Sequence, residues 1–218
     1  MKIITFLLLF GSLILINTLS YSQTVTIGNQ VWMTKNLNVD TFRNGDKIPE
    51  AKTDAEWQAA GNNQQPAWCY YNNDPTNGAK YGKLYNWFAV NDLRGLAPEG
   101  YHIPTDAEWT ILIDYLGGEL QAGTKIKSKE GWQGWPDGAG NGNNSSRFNG
   151  LPGGSRNQDG SYQSIGELTR WLSSTEEYYE DDTISFIWSR EMTGYTEGNV
   201  GRSPGNKLDG NSVRCIKD

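Results

Sequence analysis

Apolar positions along the chain fall into two periods. Trp109, Leu112, Ile113 and Leu116 recur at helical spacing, the pattern of one buried helix face. Thr105 and Glu108 stand where a capping box needs them: the hydroxyl accepts from a free first-turn amide, and the carboxylate accepts from the cap's own amide. Pro104 precedes this helix, and Gly117-Gly118 supplies its stop. Tyr81, Leu84, Tyr85 and Phe88 repeat the spacing and predict a second helix over Leu84–Asn91, although the tyrosines leave a strand open. Thr53-Asp54-Ala55-Glu56-Trp57 matches Thr105–Trp109 letter for letter. Because the flanks diverge, the repeat reads as a second use of one capping solution rather than a duplicated domain.

The other period is that of strands. Thr24–Ile27 and Gln30–Met33 flank Gly28-Asn29, the signature of a tight hairpin. Asn44-Gly45 and Asp209-Gly210 mark further turns. Between them, Gly131 to Gly160 is mostly Gly, Asn, Ser, Asp and Pro, a long loop of the kind that is usually functional or mobile. Strand-like runs follow at Arg170–Thr175, Thr183–Met192 and Ser212–Ile216, and in the middle run Ile184, Phe186, Trp188 and Met192 are expected on one half-buried face. A hairpin, two helices, long loops and then strands make an α+β fold.

The N-terminus changes where such a fold is expected to work. Lys2, the apolar run Ile3–Ile16 and the small residues Ser20 and Ser22 have the three parts of a cleavable secretory signal, 1–22. The alternative is a retained anchor, but a spanning helix needs ~20 apolar residues. Residues 23–218 then form a single domain, secreted or extracytoplasmic (periplasm or cell surface), with no membrane insertion after cleavage. The net charge of −6 and the lack of a basic run argue against nucleic acid as a partner. Nine Trp and 26 Gly at a mean hydropathy of −0.64 describe a loop-rich chain with aromatic anchors. Two cysteines, Cys69 and Cys215, are expected to form a disulfide in an exported chain, the alternative being two buried free thiols or a reactive one.

Several segments together resemble one family of exported bacterial proteins, the Fibrobacter succinogenes major paralogous domain. They are Val31–Leu37, Tyr81–Trp87, Pro98–Trp109, Leu151–Gly154, Trp171–Glu176 and Ser212–Cys215. More distantly, Ile103–Trp109 and Val213-Arg214-Cys215 are similar to segments of the formylglycine-generating enzyme (sulfatase-modifying factor) superfamily. That resemblance implies a C-type-lectin-like fold with two helices, a small twisted, mostly antiparallel sheet and long loops. Those enzymes rely on a cysteine pair near the domain's end. Here Cys215 stands there alone, so their oxidase activity is not expected.

Candidate chemistry is sparse. His102 is the only histidine; it is a lone candidate base, or a histidine that supports a helix cap. Glu176, Glu177, Glu180, Asp181 and Asp182 offer carboxylates, as a solvated acidic run also would. Calcium is a candidate cofactor, because it takes oxygen ligands such as Asn73, Asp74, Asp137 and Asn141; Asx turns explain the same residues without metal. Trp132 and Trp135, with Asp137, are the candidate ligand-binding residues. Rings on a loop suit sugar faces or protein hot spots, unless both tuck under the loop as core. The expectation is a non-catalytic binding or surface-interaction module for a glycan or an envelope or surface protein. The rivals are an enzyme of unknown chemistry on the same scaffold and a structural component of a surface complex.

Overall fold

A computed structural model describes residues 23–134, 140–178 and 185–218. The leader 1–22, Trp135, Asp137, Glu180, Asp181, Asp182 and Ile184 lie outside the described residues. The chain opens with β1 (Thr24–Ile27) and β2 (Gln30–Met33), then α1 (Asp54–Asn62) and β3 (Trp68–Cys69). A 3₁₀ turn at Tyr71–Asn73 leads to α2 (Pro75–Tyr81), β4 (Leu84–Tyr85), α3 (Trp87–Val90) and β5 (Tyr101–His102). Next come α4 (Asp106–Tyr115), α5 (Ala122–Ile126), β6 (Ser155–Arg156) and β7 (Tyr162–Gln163). The chain ends with β8 (Leu168–Tyr178), β9 (Ser185–Thr193), β10 (Gly201–Gly205) and β11 (Ile216–Lys217).

The architecture is mixed helix and sheet, with small antiparallel sheets. One holds four strands in the order β1-β2-β11-β5, which joins the two ends of the chain; another is β10-β9-β8, and β3-β4 and β6-β7 are two-stranded. In the hairpin Thr24 pairs with Met33 and Ile27 with Gln30. Gly28 makes that turn at φ +61°, a conformation that disfavours a Cβ.

Both capping boxes form. Thr105 accepts from the Glu108 amide and receives the Glu108 side chain in return, and Thr53 and Glu56 do the same for α1. Trp109, Leu112, Ile113 and Leu116 are all buried. The α4 N-terminus is further held by Asp106, which pairs with the buried Arg190 and with Arg202. Trp109 lies 4.7 Å from Trp32, 5.8 Å from Trp171 and 5.9 Å from Phe148, centroid to centroid. Arg214 closes this aromatic box from the C-terminal end. Its guanidinium stands 4.3 Å over Phe148 and donates to Met33 O, Phe148 O and Asn36 Oδ1. Burial without a carboxylate partner pushes its pKa down to about 9.

Five expectations are corrected. Leu84–Asn91 is not one helix: Leu84-Tyr85 pairs with Trp68-Cys69 as a strand, and only Trp87–Val90 is helical. The helical spacing there does not mark one face, since Tyr85 and Phe88 pack on one cluster and Leu84 on another. In β9, Ile187 and Ser189 are buried while Phe186 and Trp188 are half-exposed, so the inward face is the opposite of the expected one up to Met192. Apolar alternation misled because Trp188 lies under the Arg202 guanidinium, 3.2 Å from its ring, outside the core. Ser212–Ile216 is a strand only at its end, Ile216-Lys217, preceded by an isolated bridge from Ser212 to Trp171. Finally, Cys69 and Cys215 are free thiols, both buried. Strand alternation explains it: Trp68 and Tyr85 face the cluster that contains Cys215, whereas Cys69 and Leu84 face a separate cluster with Ala51, Trp57 and Tyr71. The described residues also form five α-helices, α1 to α5, where the resemblance implied two.

Candidate functional site

A hollow lined by aromatic rings and amides lies where α1 ends and α3 begins. Asn86 builds it. This residue, 1 % exposed, caps α3 by accepting from the Ala89 amide at 3.1 Å. The same oxygen accepts from the Ala67 amide at 3.0 Å, and Nδ2 donates to Gln65 O at 2.7 Å. One side chain thus ties the segment after α1 to the first turn of α3. Between them is an open hollow of about 340 Å³, at the small end of ligand sites.

Its lining has three kinds of group. Trp87 and Phe88 supply aromatic surface, with ring centroids 6.4 Å apart and near-perpendicular planes. Trp87 is buried, and its Nε1–H has no acceptor among the described residues; Phe88 is half-exposed. A buried donor left unpaired costs about 1–3 kcal/mol, and the indoles of Trp109 and Trp188 are in the same state among the described residues. Gln64 and Asn91 supply exposed amides whose side chains make no hydrogen bond among the described residues. Asp92 supplies a carboxylate, but Arg94 takes it by 2.8 Å bonds to both oxygens, and that pairing lowers its pKa. The lining is therefore close to neutral. Leu93 projects fully into solvent at the rim.

Gln64 is held there by a strained backbone. Its amide donates to Gly61 O at 2.9 Å and the Gln65 amide to Ala60 O at 2.8 Å, the paired bonds of a Schellman ending. That ending places Gln64 at φ +55°, where glycine is the usual residue. A non-glycine side chain in this conformation is a pointer to function.

The residues singled out from the sequence do not meet here. Trp132 is 2 % exposed and donates from Nε1 to Gly150 O at 2.9 Å. Its ring belongs to the core with Trp109 and Phe148, so it presents no face to a ligand. Trp135 and Asp137 lie outside the described residues. Asn73 accepts from Tyr162 and donates to Lys52 O, Asp74 caps α2 by accepting from Thr76, and Asn141 accepts from the Trp132 amide. Asp74 makes the Asx bond open to it without metal, and Asn73 and Asn141 join segments distant in the chain. Among the described residues no group of three His, Cys, Asp or Glu side chains could hold a metal ion.

His102 supports a cap. Nε2 meets Glu108 Oε1 and Nδ1 meets Asp218 Oδ1, each at 2.8 Å. Burial opposes its charge, but the two carboxylates prevail and raise its pKa above the ordinary histidine value. Both ring nitrogens are occupied, and Glu108 also accepts from the Thr105 amide and hydroxyl. Glu176 is ion-paired with Lys207, and Glu177 is exposed at the outer end of β8.

Sequence reasoning missed Gln64, Trp87 and Asn91 and placed Phe88 on a buried helix face. Trp87 sat unremarked at the end of the Tyr81–Trp87 motif. Gln64 offered no signal, because a left-handed glutamine looks like any other in the sequence.

Fold and hollow together define a mixed helix-and-sheet chain with a small, near-neutral surface hollow on a rigid frame. The chain belongs to the Fibrobacter succinogenes major domain family, whose profile matches residues 25–217. Comparison with curated proteins and with solved structures returns no match. Among the described residues no helix is long and apolar enough to cross a membrane.

Proposed function

We propose that this is an extracytoplasmic, non-catalytic module that binds a neutral glycan in the hollow beside α3. On this reading residues 1–22 are the export signal and 23–218 one C-type-lectin-like domain, related in fold alone to the formylglycine-generating enzymes. The pairing of the N-terminal hairpin with the last strand supports that topology. The observation that carries the function is the convergence of the half-exposed Phe88 ring, the edge of Trp87 and two free amides, Gln64 and Asn91, in one hollow. A sugar ring has an apolar face for an aromatic ring and hydroxyls that both donate to and accept from amides. With Asp92 neutralised by Arg94, little favours a charged ligand.

Titration of the purified protein with the methyl glycosides of glucose, galactose, mannose and N-acetylglucosamine tests the proposal. It is followed by tryptophan fluorescence, with and without calcium. At least one glycoside is expected to give a saturable change that Phe88→Ala and Asn91→Ala abolish. No saturable change with any of them, or a change that survives both substitutions, overturns the reading. A surface protein captured through Leu93, with no sugar response, would replace it.

A further inference from the structure

A second recess, of about 660 Å³, runs along β1 at the free edge of the four-stranded sheet. It differs in kind from the hollow beside α3. Thr24, Thr26 and Thr34 bring hydroxyls, Asn149 an amide, and Lys35 and Arg147 positive charge, and the lining holds no carboxylate. This is unexpected in a chain whose net charge is −6.

Three observations single out the two cations. Both are exposed, and neither side chain makes an ion pair, hydrogen bond or ring contact among the described residues. Many other cations are used within the fold: Arg94, Arg170, Arg190 and Lys207 pair with carboxylates, and Arg43 and Lys125 donate to carbonyls; the exposed Lys129 and Lys217 are also free but do not line this recess. Arg147 also stands at φ +60°, between Asn144 at +51° and Asn149 at +58°. Its loop is fixed on both sides: Ser146 Oγ donates to Lys125 O at 2.7 Å, and Asn144 Oδ1 accepts from the Asn149 backbone N–H at 2.9 Å. The neighbouring Phe148 is buried in the aromatic box. The fold would be served better by glycine at 147, since a left-handed conformation costs an ordinary residue about 1–2 kcal/mol. An arginine there has no partner among the described residues to account for it.

We infer that the β1 recess is a second binding site, for a glycan chain that carries carboxylates. Lys35 and Arg147 meet the acid groups, Arg147 with a fork that can hold a carboxylate by two parallel bonds. The threonine hydroxyls and the Asn149 amide meet sugar hydroxyls. An acidic peptide would use the same charges but not this run of hydroxyls, so the sugar acid is the better match. The site is independent of the hollow beside α3, and its failure would leave that reading standing.

Affinity electrophoresis of the purified protein through gels containing polygalacturonate, dextran or polyglutamate tests the inference. Polygalacturonate is expected to retard the protein and dextran not to, with the retardation weakening as salt shortens the Debye length to below about 10 Å. The K35E/R147E double variant should lose at least roughly tenfold in apparent affinity, about 1.4 kcal/mol. Arg147→Gly relieves the backbone and so keeps the fold, yet it should weaken retardation as well. Phe88→Ala should leave it unchanged. The inference is overturned if polygalacturonate fails to retard the protein or the double variant is retarded as strongly. It is overturned equally if polyglutamate retards the protein as much as the uronate chain does.

Discussion

Replacing Gln64 by glycine separates what the fold requires from what the hollow requires. The left-handed backbone at φ +55° costs an L-residue about 1–2 kcal/mol. Glycine removes that strain but adds conformational freedom to the unfolded chain, an opposing effect of about 0.4–1 kcal/mol. No side-chain hydrogen bond is lost, because the Gln64 side-chain amide has no partner among the described residues. The net expectation is a gain of about 0.5–1 kcal/mol. For a chain of this size that is a rise in Tm of about 1–4 °C. If the amide touches a sugar hydroxyl, the same substitution removes a hydrogen bond worth about 0.5–1.5 kcal/mol, or roughly two- to tenfold in Kd. Thermal unfolding by circular dichroism and glycoside titration of the same preparation measure both effects. A lower Tm would show that the Gln64 side chain serves the fold. A higher Tm with unchanged affinity would remove Gln64 from the site.

Other expectations follow from the core and the cap. Trp109→Ala, which empties the centre of the aromatic box, should cost about 3–5 kcal/mol, and Thr105→Ala about 0.5–2 kcal/mol through loss of the α4 cap; denaturant unfolding measures both. The pKa of His102 is raised in the folded protein. Its contribution is therefore full below the ordinary histidine pKa and lost as pH rises through the raised one. His102→Gln should flatten that part of a Tm-against-pH profile, and an unchanged profile would refute the assignment. Burial pushes the Cys69 and Cys215 thiols up to about 11 and about 12. Both should resist alkylation in the folded protein at pH 8 and react fully in denaturant without reductant; intact mass spectrometry would expose a disulfide at once.

What could be read from the sequence was local. The two capping boxes, the Gly28-Asn29 hairpin and the buried face of α4 each depend on residues within one or two turns of each other, so composition and spacing suffice. The errors lie where tertiary contacts decide. Phe186 and Trp188 look like core residues, yet Trp188 is covered by Arg202 from β10, a strand whose Gly-Arg-Ser-Pro-Gly sequence carries no strand signal. Trp132 looks like a surface platform, yet Gly150, 18 positions away, accepts its indole N–H inside the core. The expected disulfide needed two cysteines on one side of a strand pair, and alternation put them on opposite sides. The hollow was hidden for the same reason. Its parts come from the end of α1 and from α3, and the residue that joins them, Asn86, is an unremarkable asparagine until its three partners are seen.

The indole N–H of Trp87 tests the glycan-binding account most directly, because it reports on a ring that lines the hollow. In a ¹⁵N–¹H correlation spectrum each tryptophan gives its own indole resonance, and Trp87→Phe assigns this one by its disappearance. Titration with the glycoside that gives the strongest fluorescence response should shift the Trp87 resonance progressively. The indoles of Trp32, Trp109 and Trp171 in the aromatic box should stay in place, and Phe88→Ala should abolish the Trp87 shift. A saturating glycoside that leaves Trp87 unmoved, or moves the box indoles instead, would contradict the account.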